Sequence, residues 1–399
     1  MSNFTQYDVL EIDSITLTTR DEVQYNITNL LHELNIYSSM FEATLEANIT
    51  LVDAMNIVSN YPIVGGEKIK ARWKTSGVKD YQEVNLRVGS IGERVMEENT
   101  SVLRLHLCSE VRYADSLKRL SRGFEGTYSD ILKQTFAEFG SNLIDHGETV
   151  GLTTFASPNW NPLKIIEWCV GRGYDSNQSP LMFWEDIDGF RYKSVNDMLS
   201  QNPTRKMFQN PAGMEDNVDQ LLNTVKQMEY LPGREAISQR YDGMNCYEES
   251  VYNAKDKSFI HRERGYDEYF KKGNHLDKHP IVNDELTRTS GDLTKFRLHR
   301  EDKSHISAHQ RQMLSHALSN VRLRLSSSGN SESRVGDVIA FDVLSPQPQP
   351  DGSPAYERYI SGNFLVVSTR HIIRPNVYIL AQEIAKESYN DKLGANLNG

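Results

Sequence analysis

From Glu42 to Leu51 the chain alternates without a break. Ala43, Leu45, Ala47, Ile49 and Leu51 fall between Glu42, Thr44, Glu46, Asn48 and Thr50. A period of two sends the apolar set to one side of an extended backbone, so this stretch reads as a strand with one wet face. That pattern commits the chain to sheets, because a strand's backbone edge must be paired or blunted. Closing strands into a ring of subunits is one way to pair such edges.

The same period returns in residues 68–73, after the Gly65-Gly66 turn, in residues 84–88, and in residues 102–108 with Leu103, Leu105 and Leu107 on one face. Asp53 is placed to cap a short helix over residues 54–58, which Pro62 stops. Residues 1–115 therefore read as a first antiparallel barrel or sandwich interrupted by one helix.

The character then changes. Thr127 or Ser129 caps a helix whose apolar side is Tyr128, Ile131, Leu132, Phe136 and Phe139. Pro162 opens a second helix carrying Leu163, Ile165, Ile166, Cys169 and Val170, and Gly171 and Gly173 end it. Asp188-Gly189 between Leu181-Met182-Phe183-Trp184 and Phe190-Arg191-Tyr192 predicts a hairpin. Residues 116–205 are a mixed α/β domain.

Beyond a polar stretch at 213–223, β patterning resumes. Residues 225–230 and 244–252 read as strands, as do 321–325, the stretch starting at Val335, 362–368 and 376–380. A second β unit over 206–254 and 320–386 follows from these. Residues 255–319 form a charged, partly irregular insertion closed by a helix that Ser304 caps. Residues 326–333 are a polar turn, Pro346, Pro348, Pro350 and Pro354 stiffen a loop, and 387–399 are a frayed polar tail. The fold class is α+β, mainly β.

Length and composition narrow the function. A chain of 399 residues suggests two to four domains. Hydrophobic residues make up 38%, with 19 Tyr, 14 Phe and 4 Trp, enough bulk for real cores. A net charge of -10 argues against gripping nucleic acid through its phosphates and suits a lumen that repels DNA. Cys108, Cys169 and Cys246 are scattered and odd in number, which gives no disulfide framework or zinc spacing and fits a reducing compartment. Residues 1–6 have no basic n-region or apolar h-region, and no window has the apolar run of a membrane helix. The expectation is a chain neither exported through a signal peptide nor membrane-inserted, assembled in a cytoplasm.

Chemistry-bearing residues are sparse. His305 and His309 could share a helix face near His299 and His316, but Ile306-Ser307-Ala308 supplies no glutamate for a metalloprotease helix. Glu185, Asp186 and Asp188 put three carboxylates in one hairpin, which raises glycoside hydrolysis; ordinary turn chemistry explains them as well. Calcium would need further oxygen ligands where Phe190 and Tyr192 stand. Gly171-Arg172-Gly173 ends a helix, so it is not a dinucleotide turn, and Lys271-Lys272 is a solvated charge run. No residue is assigned a catalytic, cofactor-binding or metal role, and no cofactor is expected.

Three segments together resemble one family. The stretch from Asn48 to Asp53 followed by Tyr61-Pro62-Ile63-Val64-Gly65-Gly66-Glu67-Lys68-Ile69 resembles the tube-type barrel of the baseplate (tail) hub proteins of contractile-tailed phages. Leu163 to Tyr174 with Leu181 to Phe190 resembles their mixed domain. Val335-Gly336-Asp337-Val338-Ile339 with Gly362 to His371 resembles their second tube-type barrel. The N-terminal hub part of type VI secretion spike proteins shares this plan. The resemblance covers most of the chain in the expected order; 255–300 has no counterpart.

It implies two tube-type barrels around a mixed domain. It also implies a homotrimer whose six barrels mimic a six-fold tail tube, held between tail tube (or tube adaptor) and central spike, beside the baseplate wedges. DNA would pass through its lumen as cargo only, and the location would be the virion tail. Some relatives carry fused lysozyme or spike domains, an activity that here would belong to a partner. The alternatives are a tail-tip peptidoglycan hydrolase and the equivalent hub of a bacterial contractile injection system.

Overall fold

A computed structural model describes residues 10–53, 63–97, 100–141, 143–209, 218–233, 237, 239, 246–281, 294–299, 308–345 and 355–392. The first unit holds β1 (Leu10–Thr18), β2 (Gln24–Asn26), β3 (Leu31–Ser39), β4 (Glu46–Asp53), β5 (Lys68–Thr75), β6 (Gln82–Glu97) and β7 (Thr100–Ser109). They pair antiparallel in the order β2-β1-β5-β6-β7-β4-β3. Alternation does what the sequence demands: Ala47, Ile49 and Leu51 of β4, Ile69, Ala71 and Trp73 of β5, and Leu103, Leu105 and Leu107 of β7 enter one core. β6 and β7 outrun the barrel as a two-stranded arm, exposing Ile91, Val95 and Met96. The helix expected at 54–58 and its stop at Pro62 lie outside the described residues.

The mixed domain holds α1 (Glu110–Ser116), β8 (Gly123–Gly126), α2 (Tyr128–Phe136), β9 (Leu143–His146), β10 (Thr153–Ala156), α3 (Pro162–Val170), β11 (Leu181–Asp186), β12 (Gly189–Ser194) and α4 (Val195–Leu199). Thr127 caps α2 in a reciprocal capping box with Asp130. The apolar sides of α2 and α3 meet β11 and β12 in a core of Tyr128, Ile131, Phe136, Ile165, Phe183 and Tyr192. The hairpin turns at Asp188-Gly189 as read, with Gly189 at φ 136.

The second unit begins with β13 (Arg205–Gln209), α5 (Val218–Asn223) and β14 (Thr224–Tyr230). An insertion follows: β15 (Cys246–Asn253), β16 (Ser258–Gly265), α6 (Tyr266–Lys272), β17 (His279–Pro280), β18 (Thr294–Leu298) and α7 (Ala308–Leu318). The unit resumes with β19 (Val321–Ser328), β20 (Val338–Asp342), β21 (Gly362–Arg374), β22 (Val377–Lys386) and β23 (Ser388–Tyr389). β21-β20-β13-β14-β19-β22 form a ring that closes where β22 returns to β21. Closure removes the free edge. β13 runs parallel to both its neighbours, an orientation that alternation alone does not reveal.

The two units are one sheet. β21 pairs with β20 through residues 362–365; past a bulge at Val366/Ser368 the same edge pairs with β3, from Ser39–Ser368 to Leu34–Ile373. Its run Phe364-Leu365-Val366-Val367 is buried on both faces. Phe364 and Val366 fill the closed barrel. Leu365 and Val367 face a separate core shared with Trp184, Met198, Tyr266, Leu276 and Leu314.

Three readings change. Of the strand read at 244–252, the described part does not enter the barrel; β15 pairs with β16 and β18 in its own sheet, where buried Glu249 meets Arg297. The insertion is less irregular than its charge density suggests, because Tyr266, Leu276 and Ile281 are buried and anchor it. The chain after 387 does not fray at once: Glu387 and Ser388 are fully buried and β23 pairs with β17. The proline loop at 346–354 and residues 393–399 lie outside the described residues.

The barrel junction leaves no room at Gly329. A Cβ there would lie 1.9 Å from Cγ of Tyr378, whose ring is buried in the first core. Gly329→Ala is therefore expected to destabilise the protein by about 2–3 kcal/mol, read by chemical denaturation, through forced displacement of that ring.

Candidate functional site

Of the two clusters of chemistry-bearing groups that the sequence singles out, the tip of the β11–β12 hairpin is fully described, and its three carboxylates have different partners. Glu185 accepts from the Leu45 backbone N–H at 2.9 Å and from the Ser109 hydroxyl at 2.9 Å, both in the first barrel. Asp186, 1% exposed, accepts from the backbone N–H of Val335 at 2.7 Å, in the second unit, and of Ile187 at 2.8 Å. Asp188 holds Arg191 through two bonds of 2.8 and 2.6 Å and lies 3.3 Å from Arg334 Nε.

Electrostatics separates them further. Burial raises Glu185 to about 7 against the pull of its two donors, with Asp186 and Glu110 adding to the rise. Burial raises Asp186 to about 6, Arg334 opposing. Burial would raise Asp188 too, but Arg191 and Arg334 outweigh it and hold that carboxyl below its ordinary value. An acid and a neighbouring carboxylate superficially suit glycoside cleavage. Here each carboxylate has at least one partner from another unit, and the cleft beside Glu185 is only about 190 Å³.

The other half of the site is the loop 329–337, part of which the sequence reads as a polar turn. It is a keystone between units. Thr75 of β5 donates from Oγ1 to the Gly329 carbonyl at 3.1 Å and accepts from the Ser331 N–H at 2.9 Å. Arg334 donates to Gln82 of β6 at 2.6 Å and to the carbonyls of Ser331 and Ser333. Arg205 donates to Ser333 at 2.7 Å and Gln382 at 3.0 Å, and Gln382 donates back to Ser333 at 2.6 Å. His371, fully buried 2.7 Å from the Tyr378 hydroxyl, is driven down to about 3 by burial and the Arg334 and Arg205 charges, so it is neutral. Gly336, at φ 89, lies where a Cβ would come 2.9 Å from the Trp184 ring. No signal in a serine-rich stretch distinguishes such a loop from an exposed turn.

Elsewhere an apolar cleft of about 390 Å³ lies between α7, β11 and β21, lined by Met40, Met182, Leu314, Leu318 and Val367, with Arg311 at its wall. Its lining residues include no acid to pair with a base. Among the described residues no three His, Cys, Asp or Glu side chains are placed to share a metal ion. His305 and the side chain of His309 lie outside the described residues; His299 and His316 are held in backbone contacts. Cys108 and Cys169 are free thiols, and burial pushes Cys169 up to about 12.

The fold is that of solved tail proteins. The tail protein of Neisseria meningitidis MC58 matches with a TM-score of 0.57 at 9% identity, over 95% of this chain and 99% of that one. The 43 kDa tail protein of prophage MuSo2 from Shewanella oneidensis matches at 0.58 with 11% identity, over 94% and 98%. A chain of the half-lidded Francisella PdpA–VgrG complex matches at 0.53 with 11% identity, over 97% of this chain but 59% of that one. No protein-family model and no curated protein matches the sequence. The α+β, mainly β fold expected from the sequence is thus the fold found, and it is similar to that of these tail proteins over most of the chain.

Two outcomes test the junction. Between pH 4.5 and about 7 the unfolded chain has lost the Glu185 proton while the folded chain keeps it, so stability falls as pH rises through that window and levels off above it; for Asp186 the window is 3.8 to about 6. In Glu185→Gln the fall between pH 5 and pH 8, read by urea denaturation, is expected to be smaller by about 2 kcal/mol. Arg334→Ala is expected to cost about 3–4 kcal/mol at pH 7 by the same measurement, because buried acceptors of two other units lose their donor.

Proposed function

We propose that this chain is the structural hub of a contractile phage tail baseplate. Three copies form a pseudo-six-fold ring that joins the tail tube to the central spike, beside the wedge proteins, and DNA leaves through its lumen during ejection. It has no enzymatic activity of its own. It works in the virion tail and is assembled in the host cytoplasm. The observation that carries this reading is the joining of a closed β-barrel and a second antiparallel β unit, edge to edge, in one chain whose whole length matches tail proteins. Two barrels per chain are what a three-fold ring needs to meet a six-fold tube. The net charge of -10 suits a channel through which DNA slides without sticking. The β6–β7 arm, with Ile91, Val95 and Met96 exposed, offers apolar surface to a neighbouring subunit or to the tube.

The non-enzymatic reading rests on how Glu185, Asp186 and Asp188 are used, each spent on a contact between units. A second reading, the equivalent hub of a bacterial contractile injection system, draws support from the match to a chain of the PdpA–VgrG complex. The physical work is the same in both.

Light scattering on the purified chain is expected to give three times its 45.6 kDa, with rings in electron micrographs. A monomer with no ring in protein or virions would overturn the proposal. Peptidoglycan zymograms are expected to stay blank; clearing that Glu185→Gln abolishes would move the assignment to a tail-tip hydrolase.

A further inference from the structure

Beneath the insertion, two oppositely charged side chains are sealed from water. Lys386, at the end of β22, has a side chain 0% exposed; that of Asp277, two residues before β17, is 2% exposed; Nζ and Oδ2 are 2.6 Å apart. Nζ is shared between that carboxylate and the Ser361 carbonyl, to which it donates at 2.7 Å. The lysine head lies 5.3 Å from the centroid of the Phe364 ring.

The surroundings hold both groups still. The Asp277 N–H donates to Ser388 Oγ at 2.7 Å, and the Leu276 N–H to Glu387 Oε1 at 2.8 Å. His279 pairs with Tyr389 and Pro280 with Ser388, so the two segments lie side by side as short strands. Gly362 floors the site: a Cβ there would come within 2.5 Å of Nζ and 2.6 Å of Oδ2. The backbone N–H of Asn363 donates to the Asp277 carboxyl.

An ion pair with so little solvent is costly to keep charged. Burial, the largest influence on each, lowers Lys386 and raises Asp277, against their mutual attraction. Both directions favour a neutral amine facing a neutral carboxylic acid, which are the reactive forms for amide formation.

We infer that Lys386 and Asp277 join in an intramolecular isopeptide bond, the lysine Nζ acylated by the aspartate side chain. The Nζ lone pair attacks Cγ, forming the C–N bond and placing charge on a carboxyl oxygen that the Asn363 N–H faces. The pair on that oxygen returns, the C–OH bond breaks, and the departing hydroxyl takes a proton from nitrogen and leaves as water. Nothing is oxidised or reduced, and one water is lost. The product ties the insertion to the last barrel strand and closes a covalent loop from 277 to 386, which restricts the unfolded chain as a disulfide does but resists reduction.

Intact-mass measurement of the denatured, full-length chain is the test. The expected result is a deficit of one water molecule against the sequence mass, with trypsin failing to cut after Lys386 and a branched peptide joining it to the segment containing Asp277. Lys386→Met is expected to restore the variant's full mass, and Asp277→Asn to lose ammonia in place of water. The sequence mass with normal cleavage after Lys386 would leave an ordinary buried ion pair and overturn the inference, as would a water deficit mapped to other residues. The wild-type measurement needs no variant to fold.

Discussion

Every extended segment of this chain must find a partner for its backbone, and the architecture turns on how one strand meets that demand twice. β21 gives the first residues of one edge to β20 and the later residues of that edge to β3, while β22 covers its other edge. The bulge at Val366/Ser368 makes the switch possible by turning a new set of side chains inward. Before it, Phe364 and Val366 line the closed barrel; after it, Ile373 joins the core of the other unit. The closed barrel and the N-terminal sheet are thereby joined side by side by backbone geometry.

Side chains then fix the angle between the units. The loop 329–337 reaches β5, β6 and the β11–β12 hairpin, and the hairpin reaches back through Glu185 and Asp186. Buried polar networks specify arrangement more than they add stability, since each member is satisfied only when the others are in place. The carboxylates that most invite a catalytic reading are the ones that the junction consumes. The same physics that raises an active-site acid, burial beside another carboxyl, here serves assembly within the chain.

Much of the fold was legible in the sequence because much of it is written in period. The alternation at 46–51, a helix cap at Thr127 or Ser129, Pro162 at a helix start and the Asp188-Gly189 turn are local signals. The strand, the helix starts and the turn are found there, with Thr127 as the cap, while residues 42–44 bend and leave the strand to begin at Glu46. What stayed hidden is long-range. Residues 364–367 show an unbroken apolar run, and nothing local says that its two faces serve two cores. Residues 246–253 look as strand-like as their barrel counterparts, yet pair within the insertion, where Arg297 neutralises buried Glu249. Ser331, Ser333 and Lys386 carry the polarity of surface residues and are buried, because their partners arrive from elsewhere in the chain. The site at the junction was visible as three carboxylates, but their partners Leu45, Ser109 and Val335 come from distant stretches that nothing local brings together.

The shared strand has a consequence for synthesis. Asn35 waits for Arg370 across 335 residues, and Glu33 for Arg374 across 341. On a ribosome adding roughly 5–20 residues per second, that interval lasts roughly 20–70 seconds. Throughout it the edge of β3 that will take β21 has no partner from its own chain. Glu33, the acid of β3 that ends on Arg374, is the charge that discourages a foreign strand from pairing there first.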